Sequence, residues 1–104
     1  MTKTVVVTGA NRGLGLELVR DYVNRGDRVW GACRHPAEAN DLKALRPAGV
    51  LELDVSNEKS TEQFGVALND SVEMIDLLVN NAGVNGPEMG ILREQSSWQM
   101  ASIE

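Results

Sequence analysis

Apolar and polar positions fall into alternating blocks along the chain, and the first block is the clearest. Val5, Val6 and Val7 form an unbroken β-branched run between Thr4 and Thr8, the pattern of a strand buried on both faces of a parallel sheet. The amphipathic spacing that follows predicts a helix over residues 14–25, ended by Gly26 at the position where helices accept a left-handed residue. RVWGAC, residues 28–33, reads as a second strand. Pro36 suits the first position of a next helix, with Glu38 in its first turn, and Pro47 stops it after residue 45 or 46. Residues 50–53 form a third strand, and a helix over 57–69 follows, with Ser56 as N-cap and Glu58 in the first turn. IDLLV, residues 75–79, is the fourth strand. From Gly83 onward the pattern weakens: 94–103 has helical spacing, while Gly86, Pro87 and Gly90 hold the preceding stretch in a loop.

Strands separated by helices of this length imply right-handed βαβ crossovers. The expected fold is α/β, a doubly wound, Rossmann-like parallel sheet truncated after about four strands, in the order 3-2-1-4. Residues 1–84 would form the dinucleotide-binding βαβ domain, and 85–104 a loop and short helix of the same domain.

Bulk properties narrow the function classes. A chain of 104 residues with 42% hydrophobic and 24% charged content fits one small globular domain. Its formal net charge of −5 argues against a nucleic-acid or acidic-membrane binder, so an anionic small ligand needs local positive groups. Cys33 is the only cysteine, which excludes an internal disulfide and fits a reducing compartment. No apolar run reaches membrane-spanning length, and the first strand begins too soon for a signal peptide. A cytoplasmic protein is expected. The single histidine, His35, stands beside Pro36 with no Cys or carboxylate cluster, so no metal site is expected.

The chemistry concentrates at the turn after the first strand. Gly9, Gly13 and Gly15 are spaced G-x-x-x-G-x-G, directly between a buried strand and a helix. Such a turn aims free backbone N–H groups and the positive helix end at one point, which suits a pyrophosphate. Beyond the second strand, where an acid would select a ribose 2′-hydroxyl and a base a 2′-phosphate, stand Ala32, Cys33 and Arg34, with no acid before Glu38. Arg12 in the glycine turn adds a second guanidinium on the same side. Two arginines can hold a phosphate dianion by bidentate hydrogen bonds, or they are solvated surface charges.

This glycine spacing resembles that of the short-chain dehydrogenase/reductase family. Asn80-Asn81-Ala82-Gly83, at the end of the fourth strand, is similar to that family's NNAG motif, and Leu53-Asp54-Val55 resembles its acidic contact to adenine. The resemblance covers residues 4–84. It implies a pyrophosphate on Gly9, Gly13 and Gly15 with the backbone of Leu14, and adds Asn11 and Arg12 to the cofactor contacts. It also implies a bracing hydroxyl at Thr8, an adenine contact at Asp54 and Val55, and a wall beside the ribose from Asn81, Ala82 and Gly83. Taken alone, Asp54 reads as a turn acid ahead of a helix, and Asn80 and Asn81 as a strand-ending turn. With Arg34 and Arg12, the implied cofactor is NADP(H), preferred over NAD(H).

The family's catalytic serine and Tyr-x-x-x-Lys are absent from this chain. Tyr22 is the only tyrosine, with Gly26 four residues on, and Lys59 is the last lysine. The resemblance therefore implies the NADP(H)-binding portion of an oxidoreductase with no catalytic residue of its own, inactive alone. The alternatives are a non-catalytic NADP(H)-binding or association module, and a structural subunit without ligand. A fourth strand of this composition with one side unpaired is expected to self-associate or recruit a completing chain beside residues 75–79.

Overall fold

The computed structural model describes residues 2–81 and 100–102. Strand β1 (Thr4–Thr8) leads to helix α1 (Gly13–Asn24), then β2 (Arg28–Cys33), a 3₁₀ turn (Pro36–Glu38), α2 (Asn40–Ala44), β3 (Gly49–Glu52), α3 (Glu58–Ser71), β4 (Leu77–Asn80) and β5 (Met100–Ser102). All strand pairs are parallel, in the order β3-β2-β1-β4-β5. The first four strands and their order are those read from the sequence.

The crossovers explain the layers. The steps from β1 to β2 and from β2 to β3 run in one direction across the sheet, and the step from β3 to β4 runs back. Right-handed connections then put α1 and α2 on one face and α3 on the other. The two cores agree. Val5, Val7, Val19, Val29, Leu42 and Val79 cluster on the α1 and α2 side, while Val6, Leu53, Phe64, Leu68, Ile75 and Leu78 cluster on the α3 side. The valine run of β1 thus supplies both layers, and Val6 and Val7 are completely buried. Burying each such side chain contributes about 1.5–3 kcal/mol, so β1 anchors the domain from its centre.

Several local expectations shift. Gly26 takes the left-handed φ of 89° as the glycine rule requires. The helix expected to begin at Pro36 is instead a 3₁₀ turn and a short α2. Ala39, buried in the core with ψ of 61°, breaks the run between them. Burial of that one methyl overrides the local helical preference. The cap of α3 is Asn57, not Ser56: its side chain accepts the Ser60 N–H at 3.0 Å. Strand β4 starts at Leu77, because Asp76 before it clamps β1, donating its N–H to the Thr4 carbonyl at 2.9 Å and accepting the Thr4 N–H at 2.7 Å.

The tail carries the main correction. The helical spacing of 94–103 does not hold over Met100–Ser102, which is a strand with Leu78 opposite Met100 and Asn80 opposite Ser102. Pairing gives the backbone groups on the outer side of β4 their partners, and this long-range demand outweighs a weak local pattern. Over residues 78–80, then, β4 does not have the open edge expected of it. The loop expected around Gly86, Pro87 and Gly90, and the helical spacing over 94–99, lie outside the described residues.

Candidate functional site

The cleft sits outside the carboxyl ends of the strands, at β1, where the strand order reverses between β2 and β4. Open α/β sheets bind ligands at such a switch point. Its volume is about 540 Å³, and Gly9, Asn11, Arg12, Gly13, Cys33, Arg34, Leu53, Asp54, Val55, Ser56 and Asn81 line it.

The glycine turn is built by close approach. Ala10 donates its N–H to the Ala32 carbonyl at 3.0 Å, joining the turn to the end of β2. A side chain at Gly15 would place Cβ 2.0 Å from the Gly9 carbonyl oxygen and 2.7 Å from Asn81 Nδ2, so only glycine lets α1 start directly beneath the turn. Gly13 differs: its φ is +57°, and a Cβ there would meet nothing within 4 Å. The space beside Gly13 belongs to the cleft. No side chain caps α1, and no acid stands in its first turn. Its first N–H groups and the positive end of its dipole are therefore left for an anion.

Thr8 links the two central strands. Its hydroxyl accepts the Asn81 N–H at 2.9 Å and lies 3.4 Å from both the Val79 carbonyl and Asn80 Oδ1. Asn81 Nδ2 reaches the Gly9 carbonyl at 3.4 Å. Thr8, completely buried, is thus a brace between the turn and the end of β4.

On the other wall, Asp54 Oδ1 accepts from both the Ser56 N–H at 3.0 Å and the Ser56 hydroxyl at 2.6 Å, and the Asp54 N–H donates to Ser60 Oγ at 2.9 Å. The Ser56 hydrogen bonds, with a smaller contribution from the Arg34 and His35 charges, hold the Asp54 carboxyl below its ordinary value. Asp54 is an anion at neutral pH, facing a cleft that also carries Arg12 and Arg34. Burial pushes the Cys33 thiol up, so it stays protonated and unreactive.

Of the residues singled out from the sequence, Gly9, Asn11, Arg12, Gly13, Arg34, Asp54, Val55 and Asn81 line the one cleft. Gly15 lies buried beneath the turn, and Leu14 is half exposed outside the lining. Ala82 and Gly83 lie outside the described residues. Sequence reasoning missed Cys33, Leu53 and Ser56 as lining residues. The Asp-x-Ser spacing, which commonly folds as a side-chain turn, was the available signal for Ser56. Among the described residues no cluster of His, Cys, Asp and Glu could hold a metal ion, and no helix is long and apolar enough to cross a membrane.

A bare helix start, an open position at Gly13, two guanidiniums and an oriented carboxylate fit a phosphate-bearing ligand with a polar ring. The comparisons agree with that class of fold. The family model for short chain dehydrogenase matches residues 3–102. Retinol dehydrogenase 13 of Homo sapiens is 35% identical over 89 residues, 79% of this chain and 27% of its own length. The Pseudomonas aeruginosa RhlG/NADP active-site complex superposes with a TM-score of 0.69 at 30% identity, covering 81% of this chain and 34% of that one. A 3-ketoacyl-(acyl-carrier-protein) reductase from Brucella melitensis complexed with NADH gives the same TM-score at 27% identity, over 79% of this chain and 34% of its own. The chain belongs to the short-chain dehydrogenase family. It spans little more than a quarter of the length of the retinol dehydrogenase named above.

Proposed function

We propose that this chain is the NADP(H)-binding portion of a short-chain dehydrogenase/reductase-type oxidoreductase, whose reaction moves a hydride between NADP(H) and a carbonyl or alcohol. The observation that carries this reading is the convergence of the uncapped α1 start, Arg12 and Arg34 on one cleft. The backbone at Gly9, Gly13, Leu14 and Gly15 would hold the pyrophosphate, with Asn11 beside it. Arg12 and Arg34 would take the 2′-phosphate, and Asp54 and Val55 the adenine. Asn81, Ala82 and Gly83 would wall the ribose. The nearest acid after β2, Glu38, is not among the lining residues, which supports NADP(H) over NAD(H). Residues 1–84 would be the binding unit, with 85–104 in the same domain, as the membership of β5 in the sheet supports. A cytoplasmic location is part of the same reading.

NADP(H) would supply the hydride. This chain's residues bind and orient it, and none of them is the family's proton donor: Tyr22 lies within α1 and no lysine follows Lys59. Alone, the chain is expected to bind cofactor without reducing carbonyls. The test is titration with NADPH and NADH, followed by a carbonyl-reduction assay on the same sample. A charge-assisted phosphate contact contributes about 1.5–3 kcal/mol, so Arg34→Asp should weaken NADPH roughly tenfold or more while sparing NADH. Equal affinity of the wild type for both cofactors would overturn the preference.

The alternative, a non-catalytic NADP(H)-binding or association module, is favoured by one observation. Among the described residues, β5 has only three residues and no strand on its outer side. Self-association, or docking of a completing chain, would use the β4–β5 edge. Sedimentation across a wide concentration range tests it, and a strictly monomeric chain with no carbonyl reduction would leave the binding reading alone.

A further inference from the structure

We infer that Ser56 is a positioning residue that makes the cleft read the adenine amino group, by fixing which oxygen of Asp54 is free to accept it. This rests on the dinucleotide reading above. An aspartate at the end of a strand can rotate about its side-chain bonds and present either oxygen, or neither, to a ligand. Here the rotation is blocked. Oδ1 is held twice by Ser56, through its N–H at 3.0 Å and its hydroxyl at 2.6 Å. The Asp54 backbone is held separately, its N–H bonded to Ser60 Oγ at 2.9 Å. Ser60 in turn gives its N–H to Asn57, so the α3 cap and the Asp54 clamp form one connected chain of hydrogen bonds. Neither of these bonds involves Oδ2, and the residues on both sides of Asp54 line the cleft with it.

An ionised carboxylate is an acceptor only. A ring amino group in reach of Oδ2 is a matched donor, whereas a ring carbonyl there sets acceptor against acceptor. The pair Asp54–Ser56 therefore discriminates a 6-amino purine from a 6-oxo purine. It does so only while the carboxylate is held in place, because a free one swings across to the N1–H donor that a 6-oxo ring carries beside its carbonyl. The depressed pKa of Asp54, whose largest cause is Ser56, keeps the acceptor ionised across neutral pH.

The experiment compares NADPH with its deamino analogue, in which hypoxanthine replaces adenine, on the full chain and on Ser56→Ala, Ser56→Thr and Ser56→Cys. A hydrogen bond to a charged group is worth enough to give the wild type about a tenfold preference for NADPH. Ser56→Ala should narrow that preference to about threefold or less, and Ser56→Thr, which keeps the hydroxyl, should restore it. A merely structural serine would change both affinities together and leave their ratio intact. Ser56 is exposed, so the alanine variant should fold, and Ser56→Cys, close in shape with a weak donor, provides the same comparison if it does not. A full preference retained in Ser56→Ala overturns the inference. A wild type that binds both analogues equally also overturns it, while leaving the dinucleotide reading in place. A wild type that binds neither removes that reading and this inference together.

Discussion

Helices α1 and α3 both begin at the carboxyl edge of the sheet, within reach of the same cleft, yet their first turns are built in contrary ways. The start of α3 is capped. Asn57 caps it, Glu58 complements its dipole, and Ser56 and Ser60 tie Asp54 to it. The start of α1 is bare: Arg12 stands at the cap position without a side-chain bond, and the first turn holds no acid. A capping residue is worth about 1 kcal/mol, and α1 forgoes that stabilisation where α3 takes it. On the proposed reading, the difference assigns the anion to α1: a helix start that gives an N–H to its own cap offers less to a ligand than one that withholds them.

Four substitutions probe that contrast, in decreasing order of effect. Gly15→Val should be the most damaging, because its Cβ would overlap the Gly9 carbonyl. Overpacking against backbone should destabilise by about 3 kcal/mol, read as a lower urea midpoint, with cofactor binding lost alongside. Gly13→Val keeps its surroundings clear but forces a branched residue to φ of +57°, a strain of about 1–2 kcal/mol. The fold and the helical circular dichroism should persist while NADPH binding disappears. A folded Gly13→Val that binds NADPH normally would make the bare start of α1 irrelevant to the ligand. Asn57→Ala should cost about 1 kcal/mol in urea denaturation and weaken NADPH far less than Gly13→Val does, since Asn57 reaches the cleft only through Ser60 and Asp54. An equal loss of affinity in Asn57→Ala and Gly13→Val would erase the distinction between the helices.

The smallest effect is in acid. The folded-state pKa of Asp54 is depressed, so its contribution to stability is complete above the ordinary carboxylate value of about 4. That contribution is lost as pH falls through the lower folded-state value. Melting temperature measured against pH should fall less steeply in that acid window for Asp54→Asn than for the wild type. Identical slopes would mean that the Ser56 clamp does not stabilise the start of α3.

Much of this contrast was legible in the chain because it rests on local chemistry. The Val5–Val7 run, the glycine spacing and the apolar stripe of α1 each report a short-range requirement, and the strand order followed from the crossovers. What escaped depended on partners far away in sequence. Ala39 breaks a helix because it is buried, and Met100–Ser102 is a strand because β4 needs a neighbour. Ser56 looked like a cap, and only the folded chain gives its hydroxyl to Asp54 and hands the cap to Asn57. In the site, Arg34 was found by its position beyond the second strand and Arg12 by its place in the glycine turn, while Asp54 came from the family resemblance and, taken alone, read as a turn acid. Cys33 and Leu53 line the cleft by virtue of packing between strands, which no single stretch of sequence encodes.

Strand β1 draws its neighbours from very different distances along the chain: Val5 pairs with Val29 on one side and with Leu77 on the other. During synthesis the first pairing becomes possible early, but the second must wait until α3 and β4 have left the ribosome. At about 5–20 residues per second that wait lasts several seconds, with the valine run flanked on one side only. Non-local parallel pairing is also intrinsically slow. This valine-rich strand, buried in the finished fold, is therefore vulnerable while nascent. Slower translation between residues 33 and 77 should increase its capture by chaperones or its loss to aggregation, with no change in the finished fold.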